Sequence, residues 1–455
     1  MKMYPLWVAA MMGCLGLVAY MAATPEEKAK MIVMKYDVEN KVYHMVHSYK
    51  ETGFPAHVPY GQGIGIYPGR VVWDYNPKSV SWDGEGYWWE EGHFNAPFIR
   101  QMIDQSVQAL TGTDDTKESW QKLFIYHNQK EGQDKGYVKG EKIAIKVNLN
   151  GTSEFEEDHS GKVQLDYVNP VVLRELLHSM VENGIAADDI SVYDVSRIFP
   201  DYMVEMCTRG MLKGVHFVGR DTAIADYQVP IRWSYDFTEN TSYLPTVVTD
   251  ATYLINLADL KGHCWGISLC GKNHFGSIMN DNYMNPPVGA DIHPFMLHKR
   301  MDHYMPHVDF MASQYLGRKT ILYMLDALLC APSEESAITK RSASWQQAPF
   351  HGGYTSSIFM SEDPVAIDSV GADFLMNEPA IVNVNGAVKG HPEVEGYLHE
   401  AALADKAPSG VMYQDGNGNP VPSLGVHEHW NNTEEKQYSR NLGQKEGIEL
   451  VELKN

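Results

Sequence analysis

Asp250 to Ile278 reads DATYLINLADLKGHCWGISLCGKNHFGSI, and the fold is read outward from it. Tyr253, Leu254, Ile255 and Leu257 form a short, mostly apolar run that suits a buried strand. The character then changes. Lys261, His263, Lys272, Asn273 and His274 arrive close together, laced with Gly262, Gly266, Gly271 and Gly276. Cations, imidazoles and flexible backbone just past a strand end are what an anion or metal site needs. Taken singly, each residue reads as part of a polar loop folded over a sheet. Taken together, they read as a site.

On both sides of this stretch the chain alternates between strands and helices. Lys142 to Leu149 is apolar except at Lys146 and Asn148, and a lysine inside such a strand is costly unless it finds water or a partner. Asn169-Pro170 opens a helix, with Asn as cap and Pro in the first turn. Leu173, Leu176, Leu177, Met180 and Val181 supply its apolar stripe, and Asn183-Gly184 stops it. Further strands are expected at 190–195, 215–218, 320–325 and 356–360, the last closing the sheet, with a helix over 200–213 between the first two and an edge strand or short helix at 446–455. Residues 221–248 lack a clear period and read as an excursion. Asp363-Pro364 caps a final helix through Phe374. The pattern implies an α/β fold: a largely parallel sheet with helices on both faces, joined by right-handed crossovers.

Several of these segments carry a family resemblance. Lys261-Gly-His263, Gly266-Ile-Ser268 and Gly271-Lys-Asn-His-Phe-Gly276 agree with Lys146-Val-Asn148, Leu325-Asp-Ala-Leu328 and Ser361-Glu-Asp-Pro-Val-Ala-Ile-Asp368. Together they resemble the family called domain of unknown function 362, over roughly residues 140–376. The resemblance implies an α/β domain and no settled activity. It points to Lys146, Asn148, Lys261, His263, Lys272, Asn273, Asp326, Asp363 and Asp368. Asp363 and Asp368 also suit a helix start electrostatically. The segment from His263 through Gly266-Ile-Ser268 to Lys272 also looks like the His…Gly-x-Ser…Lys stretch of the nickel-pincer lactate racemase family, with spacing one residue shorter here.

Four regions follow. Residues 1–23 read as a signal peptide or membrane anchor, 24–139 as an N-terminal extension with an aromatic-rich loop, 140–376 as the α/β core, and 377–455 as an irregular C-terminal extension. Residues 5–23 are apolar and uncharged, so export, or a membrane tether through that segment, is expected. The chain of 455 residues carries a net charge of −21, which repels nucleic acid and anionic membranes. The five cysteines include no Cys-x-x-Cys pair, so no iron–sulfur cluster is expected. Cys207, Cys264, Cys270 and Cys330 are open to two readings, disulfides or buried thiols.

Trp73, Tyr75, Trp82, Tyr87, Trp88 and Trp89 crowd into residues 70–93. Packing beneath a long loop is the leading reading, and a glycan-stacking platform the other. The acidic loop 150–167 reads as a solvated charge run. Asp415-Gly-Asn417-Gly-Asn419 starts like a calcium loop but has Pro420 where glycine is required, so it reads as a turn. Pro306 separates His303 from His307 and weakens a metal pair there.

Ligands of open α/β sheets bind at the carboxyl ends of the strands. His263, Lys272 and Asp326 are the catalytic candidates, and Lys146, Asn148, Asp194, Lys261 and Asn273 the substrate-binding ones. Lysines would hold a carboxylate or phosphate while His263 or Asp326 moves a proton. A divalent metal on His263 and His274 is the alternative chemistry. The expected function is an exported enzyme acting on a small anionic substrate. The competing class is a non-catalytic extracytoplasmic protein that binds a glycan or other small ligand.

Overall fold

The computed structural model describes residues 55–152, 159–160, 162–236, 241–263, 266–280, 303–384, 388 and 392–454, with the backbone of a hairpin at 33–37 and 42–46. The apolar segment 5–23, Cys264 and the histidines at 293 and 298 lie outside these residues. Among the described residues no helix is long and apolar enough to cross a membrane.

One eight-stranded sheet organises the molecule. In chain order its strands are β1 (Arg70–Tyr75), β2 (Ile143–Val147), β3 (Ile190–Tyr193), β4 (His216–Val218), β5 (Tyr253–Asp259), β6 (Thr320–Ala327), β7 (Ser357–Ser361) and β8 (Glu449–Lys454). Their spatial order is β8-β1-β7-β6-β5-β2-β3-β4. All neighbours pair in parallel except those of β7, which runs against β6 and β1. The central strand β5 is buried along its whole length, as its apolar run requires.

The alternation of side chains along each strand assigns them to two cores. Tyr253, Ile255 and Leu257 of β5 join Ile143, Ile145 and Val147 of β2 on the first face. Helices α1 (Ala96–Thr111), α2 (Thr116–Lys130) and α3 (Pro170–Glu182) cover it through Ile99, Met102, Ile103, Trp120, Phe124, Leu173 and Leu176. The cap of α3 is the expected one, with Asn169 Oδ1 accepting from Val171 N at 2.8 Å. After α3 comes α4 (Asp201–Met206). It is shorter than the expected 200–213 helix: the backbone turns extended at Arg209, and Gly210–Leu212 forms a separate 3-10 turn. The second face is covered by α5 (Pro306–Ala312), α6 (Pro364–Met376) and α7 (Pro392–Ala402), packed on Ala258, Tyr323, Leu325 and Phe359.

The sheet reaches beyond 140–376 on both sides. Residues 70–75, expected as part of a loop, form the interior strand β1. Strand β8 lies at the edge beyond it, so 356–360 is not the last strand, and residues 446–455 take the edge-strand alternative rather than the helical one. The excursion at 221–248 supplies Ala225–Pro230 and Ser242–Pro245 to a small antiparallel sheet with Met279–Asn280.

The aromatic segment turns its rings inward. Trp73, Trp82 and Trp88 are buried. Trp73 Nε1 donates to Ser357 Oγ at 2.9 Å, Trp82 Nε1 to Glu85 O at 2.7 Å, and Trp88 Nε1 to Leu165 O at 3.0 Å. Trp89 stacks on Tyr202 at 4.0 Å between ring centres. The three buried tryptophans thus enclose their rings and satisfy each indole N–H, as the packing reading requires. Cys207, Cys270 and Cys330 are buried free thiols.

Candidate functional site

Three elements bring the candidate residues together. Strands β2 and β5 place Lys146 and Asn256 directly opposite each other, on the second face by alternation. A hairpin of Lys261–His263 and Gly266–Ser268 follows β5, and the helical turn Cys270–Asn273 folds back over that face. Two polar clusters result.

The first lies beneath the turn. Lys146 Nζ donates to Val147 O at 2.6 Å, Asn273 Oδ1 at 3.0 Å and Asp194 Oδ2 at 3.2 Å. Its three N–H donors therefore have three acceptors inside the protein. Asn273 Nδ2 donates to Asn256 Oδ1 at 2.8 Å, and Asn256 Nδ2 meets Cys270 O at 3.0 Å and His274 Nε2 at 3.1 Å. His274 Nδ1 meets Ser277 Oγ at 3.1 Å. Both ring nitrogens of His274 are thus engaged, and a metal there would have to displace one of them. Burial and the nearby Lys146 ammonium push His274 down to about 3, so the ring is neutral at neutral pH. Asp194 also accepts from Leu149 N at 3.1 Å and from Ser196 N at 2.9 Å. Lys146 binds both Asp194 and Asn273; with every donor of Lys146 used, the group is a clamp that holds the turn on the sheet.

The second cluster sits at the carboxyl ends of β2, β5 and β6. Lys261 Nζ pairs with Asp259 Oδ2 at 3.1 Å and donates to Asp166 O at 2.6 Å and Asn148 Oδ1 at 3.3 Å. Asn148 Nδ2 reaches Ser268 Oγ at 3.3 Å. Asp166 Oδ2 accepts from Ala331 N at 2.7 Å. Asp326, in register with Asp259, accepts from Asn169 N at 2.6 Å and Leu328 N at 3.2 Å. Asp166, Asp259, Lys261 and Asp326 are each at most 2% exposed. Three buried carboxyls thus share one ammonium.

Ionising all three would bury uncompensated charge, which costs several kcal/mol. The group keeps protons instead. Burial, with Asp259 beside it, pushes Asp166 well above the carboxylate range. The same two causes bring Asp326 up to about 8, against the pull of its two backbone donors. The expected solvated charge run is therefore wrong at Asp166, which turns inward. Neither Asp166 nor Asp259 was singled out from sequence. The readable signal was Asp259, two residues before Lys261 at the end of a buried strand.

The remaining candidates flank these clusters. His263 Nε2 pairs with Glu334 Oε1 at 3.3 Å. Lys272 Nζ lies 4.0 Å from the centre of the Phe275 ring. Asp363 is the cap of α6, as expected, and Asp368 accepts from Cys270 N at 2.9 Å and Gly271 N at 2.7 Å. Asp368 thus ties α6 to the turn carrying Lys272.

A family model described as "Domain of unknown function (DUF362)" matches residues 143–373, just over half of the chain. The chain belongs to this family. The DUF362 match spans β2 through most of α6 and includes both clusters, whereas β1, α7 and β8 lie outside it. No curated protein matches the chain.

A pocket of about 410 Å³ opens at the opposite edge of the sheet, where Thr320 begins β6, lined also by Tyr126, Lys130, Arg318 and Glu362. Burial pushes Glu362 up to about 7. Only open space distinguishes this pocket, whereas DUF362 residues from several segments converge at the carboxyl edge.

These protonated acids give stability a pH dependence. Asp326, Glu362, Asp363 and Asp368, raised by burial to about 8, 7, 7 and 7, keep a proton in the folded chain that they lose near pH 4 when unfolded. Their contribution is complete below that pH and is lost as pH rises through about 7 to 8. His127 and His274, lowered to about 4 and 3, oppose the trend only below about 6.5. Lys319 and Lys436, lowered to about 8, act only above that value. Stability should therefore fall by at least about 2 kcal/mol from pH 6.5 to 8. Urea unfolding at the two pH values checks this, and a flat or rising profile would contradict it.

Proposed function

We propose that the chain is an exported enzyme acting on a small anionic substrate at the carboxyl edge of its sheet. The observation that carries this reading is the surplus of acid there: Asp166, Asp259 and Asp326 buried around Lys261. A scaffold needs one counter-charge for one lysine. Two further carboxyls that hold protons at neutral pH form a proton reserve of the kind acid–base catalysis uses. In this reading Lys272 and Asn148 hold the substrate anion, and Asp326 or His263 moves the proton. Export rests on the apolar residues 5–23; cell fractionation of the full chain and of a chain lacking 1–23 checks it, and identical distribution would remove it.

The test of the site is a thermal-shift screen of small carboxylates and phosphates against wild type, Lys272→Gln and Glu362→Gln. The reading expects a ligand that stabilises wild type and Glu362→Gln but not Lys272→Gln. A ligand lost only in Glu362→Gln would move the site to the pocket at the opposite edge. A panel without any stabilising anion would count against the substrate class itself.

A further inference from the structure

The segment beyond the family match carries a separate group of titratable side chains. His427 ends the short strand Val426–His427, His429 follows two residues later, and Glu395 lies in the first turn of α7. Spacing of two in extended chain turns both imidazoles to one side. Glu395 Oε2 lies 3.3 Å from His427 Nε2 and 3.3 Å from His429 Nε2. One ligand atom from each of the three residues falls within 4.8 Å of the others. The side chains of His427 and Glu395 are 0% and 5% exposed, and that of His429 is 14% exposed.

The hydrogen bonds behind these groups fix their orientation. Ser369 Oγ, on α6, spends its single proton on Val365 O at 2.7 Å. It must therefore accept from His427 Nδ1, 2.8 Å away. His427 thus carries its proton on Nδ1 and turns the Nε2 lone pair toward Glu395. That buried Nε2 has no hydrogen bond of acceptable geometry. His429 Nδ1 meets Asp373 Oδ1 at 2.7 Å, and Asp373 Oδ2 is held by Trp430 N at 3.0 Å and the Tyr438 hydroxyl at 2.9 Å. An outer carboxylate or hydroxyl that sets the tautomer of a ligating histidine is the usual support of a metal site. The His399 ring stands edge-on to His427, with centres 4.7 Å apart, and walls off one side.

The distances favour a cation over a proton. A charge-assisted N–H···O bond closes to about 2.7–2.9 Å, and His429 with Asp373 shows that length. The two contacts to Glu395 stay longer. Metal–ligand bonds of about 2.0–2.1 Å in tetrahedral geometry set donor atoms about 3.3 Å apart.

We propose that His427 Nε2, His429 Nε2 and Glu395 Oε2 bind one divalent transition-metal ion of the zinc class, with the fourth position left to water. This site is independent of the strand-edge reading and of His263 and His274. The full chain, stripped with chelator, is titrated with zinc chloride by calorimetry. One equivalent should bind to wild type and to His263→Ala. Affinity should fall at least about 100-fold in Glu395→Gln and His429→Gln, and about 10–100-fold in Asp373→Asn. Should these variants not fold, cobalt-loaded wild type decides. Visible bands of a four-coordinate nitrogen–oxygen site, with paramagnetic shifts on the His427 and His429 rings, are expected. Absence of stoichiometric binding to wild type, unshifted His427 and His429 rings, or full affinity in Glu395→Gln and His429→Gln would overturn the proposal.

Discussion

Asp363→Ala is expected to destabilise the chain by more than about 3 kcal/mol, because it orphans three buried backbone donors and one part-buried one, at about 1–3 kcal/mol for each buried donor, less what water and relaxation recover. Asp363 Oδ1 accepts from Val365 N at 3.0 Å and Ala366 N at 2.9 Å, capping α6. Its Oδ2 accepts from Ile64 N at 3.0 Å and Val426 N at 3.2 Å. One fully buried carboxyl group thus joins the α/β core to segments from both ends of the chain. Gly425 lies against it so closely that a Cβ there would collide with Asp363 Oδ1. Asp363→Asn, which keeps one acceptor oxygen, should fall between wild type and alanine. Urea unfolding measures the series, and a loss below about 1 kcal/mol for Asp363→Ala would mean the terminal segments are not held this way.

The second large effect is expected at Lys146. Lys146→Met removes the ammonium that Asp194, Asn273 and Val147 O share. Breaking a buried ion pair from one side costs about 3–5 kcal/mol, because the partner charge is left uncompensated. Adding Asp194→Asn should recover part of that loss, with a coupling of about 1–3 kcal/mol in the double-mutant cycle. This result also separates two roles for the lysine. A clamp loses stability in the methionine variant, whereas a ligand-contacting lysine would leave stability intact and lose anion binding.

Much of the architecture was legible because local and global signals agreed. The Asn169-Pro170 cap, the stripe of α3 and the apolar run of β5 each have one low-energy reading. Strand β1 was not legible, since its apolar core is only Val71-Val72-Trp73 and the following aromatics carry no strand period. Its place is decided by pairing with β7 and β8, segments roughly 290 and 380 residues away in the chain. Lys146 could be flagged as needing a partner, but Asp194 and Asn273 become its partners only when β3 and the 270–273 turn meet in space. Asp166 departs from the expected charge run because nothing local says that its carboxyl turns inward to Ala331 N and Asp259. His427 and His429 did carry a signal, two histidines at strand spacing, but their carboxylate comes from α7.

In the reading proposed above, the carboxyl edge of the sheet holds a proton at neutral pH. This is tested most directly by carbon-13 NMR titration of aspartate-labelled protein, wild type against Asp326→Asn. The account predicts a carboxyl resonance in wild type that titrates near 8, as set by burial and Asp259, and that is absent from Asp326→Asn. If no resonance titrating near 8 is lost in Asp326→Asn, whatever Asp309, Asp363 and Asp368 do at about 6 to 7, the edge holds no such proton, and acid–base chemistry at this site is contradicted.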